Sequence, residues 1–147
     1  MKSELRNKVT DIIVKSIRQL LKRSNPDVTA FDIWHGTLCQ KIISIYKDKD
    51  IPFYYGQAQK WINMTMKYFC VLYLSEANRI IHLMHPPVDS IFFERAEDLL
   101  SIDYPVFRWS RMDSQQYKKY LKSIRGALST TKGAIPPMIW EYRNWER

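Results

Sequence analysis

The sequence predicts an all-α fold: a single domain over residues 1–147, with about five or six helices around a long central helix. Apolar residues recur at three- and four-residue spacing in successive stretches, which is the period of a helix that buries one face. Turns rich in proline and asparagine separate these stretches, and no segment sustains the alternation of a half-buried strand. A chain of 147 residues, 46% of them hydrophobic, has the size and composition of one domain with one core.

Two apolar stripes predict the first two helices. The first stripe, within residues 3–23, consists of Leu5, Val9, Ile12, Ile13, Ile17, Leu20 and Leu21. The second consists of Phe31, Trp34, Leu38, Ile42 and Ile45. Pro26 ends the first helix, because the residue before a proline avoids the helical region. Thr29 is a candidate N-cap for the second helix, with Asp32 three positions on, and this helix is expected to run to about Tyr46.

The third helix is predicted to be the central one. Residues 57–82 contain neither proline nor glycine, and their apolar residues lie on more than one side of a helix. A helix that is apolar nearly all round belongs in the interior of a fold. We therefore expect one helix from Gln57 to His82, whose core face is formed by Trp61, Met64, Tyr68, Val71 and Leu72.

Cap residues and prolines place the remaining helices. Asp89 or Ser90 caps a fourth helix, and Asp113 or Ser114 caps a fifth. Two proline pairs, Pro86-Pro87 and Pro136-Pro137, mark a chain break and the first turn of a short terminal helix. The large aromatic residues Trp109, Trp140 and Trp145 are expected to anchor the core.

Charge and composition narrow the class of partner. Lys and Arg total 23 against 15 Asp and Glu, and the resulting charge of +8 attracts phosphate backbones or anionic membrane surfaces. No apolar run reaches the ~18 residues of a membrane span, so no membrane partner is expected. The N-terminus lacks the features of a secretory signal, which predicts a cytoplasmic location.

Cys39 and Cys70 are expected as buried free thiols.

One passage carries a family resemblance. The run Gly56-Gln57-Ala58-Gln59-Lys60 begins the long helix, and Val88-Asp89 begins the next one. These residues resemble the helix-hairpin-helix DNA glycosylase superfamily, whose members carry a Gly-x-Gly-x-Lys hairpin and, after a helix, a Val-Asp segment that caps the next helix. Gly56 and Ala58 fall on the two hairpin glycines, Lys60 on the Schiff-base lysine and Asp89 on the essential aspartate.

The resemblance implies a DNA-repair function and a site. The hairpin residues Gly56, Gln57, Ala58 and Gln59 would hold a DNA phosphate, because free amides at a helix N-terminus bind anions. Lys60 would attack the sugar carbon as a neutral amine, and Asp89 would stabilise the developing charge. The sequence leaves open whether the protein is an enzyme. If it is catalytic, the resemblance implies a DNA glycosylase or lyase that needs no organic cofactor.

A second set of candidate nucleic-acid-binding residues is basic. It consists of Lys118, Lys119, Lys122 and Arg125, with Lys132 beyond them. Tyr117 and Tyr120 lie among these residues, so their rings are candidates for stacking on bases while the basic groups follow the phosphates. The same pattern fits the solvated face of an amphipathic helix. A smaller basic group lies at Lys15, Arg18, Lys22 and Arg23.

A metal or cofactor site is not expected. His82, His85 and Asp89 are ligand types, but the prolines between them interrupt the helical spacing that would bring them together. The chain also lacks a glycine-rich phosphate loop, a dinucleotide fingerprint and a Ser/His/Asp motif.

The sequence thus predicts a nucleic-acid-binding helical module with DNA as the favoured partner, and glycosylase or lyase chemistry stays open. The alternative is a non-catalytic protein-interaction or regulatory module, whose aromatic surface contacts a protein partner.

Overall fold

A computed structural model of the chain describes residues 2–131 and 133–145. These residues form seven α-helices and no β-strand, which confirms the all-α prediction. The helices are α1 (Lys2–Leu21), α2 (Val28–Lys47), α3 (Tyr55–Leu72), α4 (Leu74–Ala77), α5 (Ser90–Leu100), α6 (Ser114–Ser129) and α7 (Pro137–Asn144). Short 3-10 turns lie at Ile81–Leu83 and Trp109–Arg111.

α1 and α2 follow the predicted apolar stripes, but the cap of α2 differs from the prediction. Asp27, rather than Thr29, is the N-cap: its Oδ1 accepts a hydrogen bond from the Ala30 amide at 2.8 Å. The backbone of Asp27 is extended, as an N-cap requires, and aspartate ranks above threonine in this position. Thr29 lies inside the first turn of α2 and is exposed.

The predicted helix from Gln57 to His82 is wrong in length, because α3 ends at Leu72. Tyr73 leaves the helical region with φ −134° and ψ 59°, and the chain restarts as the short α4. A continuous helix of about 26 residues would be ~39 Å long and would carry its end past the core. The break turns the chain back instead, so that Ala77 and Ile80 are fully buried.

The predicted core face of α3 is also wrong. Tyr68, Val71 and Leu72 are 61%, 63% and 73% exposed, and Trp61 and Met64 are half-buried. The face that α3 buries consists of Tyr55, Gly56, Ala58, Gln59, Ile62, Asn63, Met66 and Lys67. This face is partly polar, and its polar members are buried because they are hydrogen-bonded within the protein. Hydropathy alone therefore selects the wrong face.

The caps predicted for the C-terminal helices are confirmed. Asp89 is the N-cap of α5 and accepts the Phe92 amide at 2.9 Å. Asp113 is the N-cap of α6 and accepts the Gln116 amide at 2.8 Å, while the Gln116 side chain accepts the Asp113 amide at 2.9 Å. Pro137 stands in the first turn of α7, where its missing N–H costs no helical hydrogen bond.

Apolar side chains of the larger helices form one buried cluster. Trp140 belongs to it and Trp109 packs against it, but Trp145 is 52% exposed, so the expected anchoring role is wrong for Trp145. Its ring lies beneath a lysine ammonium rather than in the core. Cys39 is buried, Cys70 is half-buried, and both thiols are free. Among the described residues no helix is long and apolar enough to cross a membrane.

Candidate functional site

The two residues that the family resemblance assigns to catalysis contact each other. Lys60 lies on the second turn of α3, and Asp89 caps α5, 29 residues further along the chain. The Lys60 Nζ donates to Oδ2 of Asp89, while Oδ1 accepts the Phe92 amide. The two side chains are 28% and 18% exposed. They form an ion pair that solvent reaches from one side.

Two buried amide side chains of α3 set the position of Asp89. Gln59 donates to the Val88 carbonyl at 2.7 Å and accepts the Val88 amide at 3.1 Å, as the backbone of a neighbouring strand would. Asn63 donates to the Pro86 carbonyl at 3.0 Å. Both side chains are buried, and Asp89 is the residue that follows Val88. These bonds therefore hold Asp89 next to Lys60.

The predicted hairpin residues form a closely packed first turn of α3. A Cβ on Gly56 would lie 1.8 Å from the Trp109 carbonyl oxygen, so only glycine fits at this contact. The Gly56 amide donates to the Met112 carbonyl at 3.0 Å, and the Ala58 amide donates to the Tyr54 carbonyl at 3.0 Å. These two amides have partners within the protein. Phosphate binding by the hairpin amides stays a prediction, and the fully buried Ala58 side chain offers no contact to a ligand.

Aromatic and cationic side chains meet at the beginning of α3. The Gln57 side chain accepts the Tyr54 amide at 3.0 Å. The Arg111 guanidinium donates to the Tyr54 hydroxyl at 2.7 Å and lies 4.7 Å from the centre of that ring. The Lys60 Nζ lies 5.9 Å from the ring centre of the half-buried Trp109. Contacts of this kind between a cation and the face of an aromatic ring are favourable. The rings of Tyr54 and Trp109 therefore each lie next to a positive charge.

The basic residues predicted on the fifth helix fall into two groups on α6. Lys118, Lys119 and Lys122 are exposed. Arg125 is half-buried and donates to both carboxylate oxygens of Asp32, at 2.7 and 2.9 Å. Its guanidinium is therefore engaged in a bidentate ion pair. Lys132, the last residue of the predicted set, lies outside the described residues.

The expectation that Tyr117 and Tyr120 stack on bases is wrong. Their side chains are 1% and 6% exposed, because they lie on the face of α6 that packs on the core. The Tyr120 ring meets Phe93 edge-on, with 4.9 Å between ring centres. Only the lysine face of α6 is available to a ligand.

A buried polar network that was not predicted from the sequence joins α2, α3 and α6 to the segment before α5. Its members are Asp32, His35, Asn63, His85 and Tyr117. His85 lies between Asp32 and Tyr117, with 2.7 Å from Nε2 to the carboxylate and 2.7 Å from Nδ1 to the hydroxyl oxygen. Asn63 lies between Tyr117 and His35, at 3.2 and 2.7 Å.

Burial fixes the protonation states in this network. Burial lowers the pKa of His85 and lowers that of His35 further, so both rings are neutral near pH 7. Burial alone would raise the pKa of Asp32, but hydrogen bonds from Arg125 and His85 bring it well below its usual range. Because the Asp32 carboxylate only accepts, Nε2 of His85 carries the proton, and Nδ1 accepts from the Tyr117 hydroxyl. Every member thus has a defined donor or acceptor role.

One pattern in the sequence indicates the polar part of the buried face of α3, to which Asn63 of the network belongs. Gln59, Asn63 and Lys67 recur at four-residue spacing, directly beside the apolar series Ala58, Ile62 and Met66. A polar stripe that runs along the edge of an apolar stripe is typical of a helix whose buried face includes hydrogen-bonded amides. Their partners come from distant parts of the chain, so the sequence alone does not identify them.

The space beside Asp89 is a small hollow. Arg95, Trp140 and Glu141 also line it, and its volume of about 10 Å³ is the room that one water molecule needs. The Lys67 Nζ donates to Glu141 at 2.9 Å and lies 4.4 Å from the ring centre of Trp145. Burial raises the pKa of Glu141, while the hydrogen bond from Lys67 lowers it. A nucleobase does not fit this hollow in the conformation described.

The two histidines considered as metal ligands have different surroundings. His82 is exposed on a 3-10 turn, whereas His85 is buried with both ring nitrogens bonded within the network. Over residues 2–131 and 133–145, no group of three or more His, Cys, Asp or Glu side chains is placed to hold a metal ion.

No protein-family model, curated protein or solved structure was found to match this chain.

Proposed function

We propose that this chain is a nucleic-acid-binding helical module whose favoured partner is DNA. The observation that carries the proposal is the exposure of five cations that lie close together in the sequence, Arg108, Arg111, Lys118, Lys119 and Lys122, which we call the basic surface. These residues lie on the turn that packs against α3 and on the first half of α6. A cluster of exposed cations on neighbouring elements is the arrangement that follows a phosphate backbone.

The positive charge of the sequence is concentrated in the segment that carries this basic surface. Residues 104–140 contain seven Lys and Arg residues and one acidic residue, Asp113. Most of the net charge of +8 therefore belongs to this part of the sequence. A positive field of this kind steers a polyanion, and each phosphate that a cation neutralises releases a counterion and strengthens binding.

Aromatic rings beside the basic surface suit unpaired bases. Trp109 lies between Arg108 and Arg111 in the chain and beneath the Lys60 ammonium, and the Tyr54 ring contacts the Arg111 guanidinium. Rings next to cations stack on bases while the cations hold the backbone, with little dependence on sequence. We expect single-stranded DNA to bind more tightly than a duplex of the same length.

Fluorescence anisotropy with a labelled single-stranded DNA tests the proposal. The logarithm of the association constant should fall linearly with the logarithm of salt concentration, by ~0.7 for each phosphate contact. A peptide nucleic acid of the same base sequence is the matched control, because it lacks the phosphates and should show no such dependence. Absence of binding at about 50 mM salt, or binding that salt does not weaken, would contradict the proposal.

A second candidate function, lyase chemistry on abasic DNA, is favoured by the contact between Lys60 and Asp89. The resemblance assigns a nucleophile and a charge-stabilising carboxylate to these two residues, and their side chains meet across two helices. In the proposed step the Lys60 ammonium passes a proton to Asp89, and the neutral amine attacks the aldehyde carbon of the abasic sugar. The carbonyl oxygen leaves as water when the imine forms.

Borohydride trapping tests the lyase proposal separately from DNA binding. Reduction of the imine should give a covalent adduct with the wild type, none with Lys60→Ala and far less with Asp89→Asn. Lys60→Arg is the matched control: it keeps a cation next to Asp89 and keeps DNA binding, but it forms no imine. No adduct with the wild type, or an unchanged adduct with Lys60→Ala, would overturn the lyase proposal alone.

A further inference from the structure

The end of α3 presents an apolar ridge to solvent. The ridge consists of Tyr68, Val71, Leu72, Tyr73 and Leu74, which are between 55% and 73% exposed. The helix breaks at Tyr73, so the ridge stands at a corner of the fold rather than along a flat face. Large apolar side chains that are exposed next to one another are typical of an interaction surface.

A groove lies on each side of the apolar ridge. The first, of about 560 Å³, is lined by Val14, Ile17 and Leu21 of α1 opposite Tyr68 and Leu72. The second, of about 440 Å³, is lined by Val71, Leu74, Ile81, Met138 and Ile139. A ridge next to a groove is a shape that suits a second copy, because under two-fold symmetry the ridge of each copy can enter the groove of the other.

The charges of the first groove are also self-complementary. Arg18 of α1 and Glu76 of α4 both line it. The chain as a whole carries +8, yet this groove has one basic and one acidic residue. A strongly acidic partner would match the basic surface better than this neutral groove. A second copy offers a glutamate to Arg18 and an arginine to Glu76, so its charges complement those of this groove.

We propose that the apolar ridge is a homodimer interface, in which the ridge of one protomer enters the first groove of its partner and two reciprocal Arg18–Glu76 pairs close the rim. The dimer removes from water the apolar side chains that a single copy leaves exposed. This inference does not depend on nucleic-acid binding, since none of its residues belongs to the basic surface.

Light scattering coupled to size exclusion, over a range of protein concentrations, tests the homodimer. The wild type should have twice the mass of the 17.6 kDa chain, and Leu72→Glu should have the mass of one chain with unchanged helical circular dichroism. Leu99→Glu is the matched control, because Leu99 is 54% exposed on α5 outside the ridge, and this variant should remain dimeric. A monomeric wild type, or a dimer that survives Leu72→Glu, would overturn the proposal.

Charge exchange tests the arrangement of the two copies. Arg18→Glu and Glu76→Arg each place like charges together at both rims, so each should raise the dimer dissociation constant about tenfold. The double exchange restores opposite charges and should restore most of the affinity. If the loss of dimer affinity in the double variant equals the sum of the losses in the two single variants, Arg18 and Glu76 do not face each other, and the proposed two-fold arrangement is wrong.

Discussion

The two ends of α3 differ in which side chains are buried. In the first half, Gln59 and Asn63 are fully buried among apolar neighbours, and each has several hydrogen-bond partners. In the second half, Tyr68, Val71 and Leu72 are mostly exposed. Burial therefore follows the available partners and the path of the chain rather than the hydropathy of the residue. Paired polar groups are buried at small net cost, whereas an unpaired one is costly.

The difference also separates two roles along one helix. The first half of α3 positions Asp89 next to Lys60 through Gln59 and Asn63. The end of the helix, at Tyr68, Val71 and Leu72, offers an apolar surface to a partner. Changes in the first half should alter stability and the site together, and changes at these three exposed positions should alter association alone.

Breaking the buried polar network should have the largest effect. Asn63→Leu leaves Nε2 of His35 and the Pro86 carbonyl without their hydrogen-bond partner, although it makes the helix more apolar. Each buried group that loses its partner costs ~1 to 3 kcal/mol, so the free energy of unfolding should fall by about 3 kcal/mol or more. The reverse exchange at an exposed position, Val71→Asn, should change the free energy of unfolding by less than ~0.5 kcal/mol in dilute protein. Urea unfolding that gave equal losses would contradict the comparison.

The network should also make stability depend on pH. Burial lowers the pKa of His35 and of His85, so the unfolded chain binds more protons than the folded protein below the ordinary value of about 6.5. Stability is complete above that value and is lost as the pH falls towards the lowered values, by up to ~1.4 kcal/mol per pH unit for each histidine. Between pH 7 and 5.5 the loss should be at most about 2.5 kcal/mol, the limit in which both rings stay neutral in the folded protein.

Denaturant unfolding at several pH values measures this loss. His82→Gln removes an exposed histidine and should leave the slope unchanged, whereas His35→Gln should make the slope shallower. The raised pKa of Glu141 acts with the opposite sign, and Glu141→Gln removes that contribution. Stability that stays flat over this range would show that the two buried histidines are not the neutral members of the network.

A smaller effect is expected where α3 begins. Gly56→Ala places a methyl group against the Trp109 carbonyl, so the turn must move, at a cost of about 2 kcal/mol. Gly126→Ala is the matched control: it lies within α6 with open space around it, and it should stabilise the protein by ~0.5 to 1 kcal/mol. The two glycine replacements should therefore shift the thermal midpoint in opposite directions. Shifts of the same sign would contradict the packing described for Gly56.

The smallest effect is expected on the exposed half of α3. Leu72→Ala should change the free energy of unfolding by less than ~0.5 kcal/mol in dilute protein, because the side chain is 73% exposed. Ile62→Ala, at a fully buried position of the same helix, should cost ~2 to 5 kcal/mol. Chemical denaturation of the two variants measures the difference. Similar losses would mean that the ridge is part of the core.

Local chemistry explains which features were predictable from sequence. The all-α class and the caps Asp89 and Asp113 depend on residues within a few positions of each other, and both predictions are confirmed. The buried face of α3 depends on Val88, Pro86 and Tyr117, whose distance from α3 in the chain hides their role. Apolar periodicity was therefore a correct guide on α1 and a wrong one on α3.

In the candidate site, too, local features were predictable from the sequence and tertiary contacts were not. Lys60 and Asp89 were singled out by a local resemblance, and their contact is a tertiary feature that only the structure shows. The lysines of α6 are exposed, as an amphipathic pattern predicts, but Arg125 belongs to an ion pair whose other member, Asp32, lies on α2. The sequence pattern does not distinguish a solvated cation from a paired one.

The salt dependence of DNA binding in two matched triple variants tests the central claim, that the basic surface holds phosphates. Lys118/Lys119/Lys122→Gln removes three cations of that surface, and Lys8/Lys15/Lys22→Gln removes three exposed cations on or next to α1, with the same change in net charge. For single-stranded DNA, the slope of log association constant against log salt should become shallower by about 2 in the first variant and stay as in the wild type in the second. Equal slopes in the two variants would contradict the account.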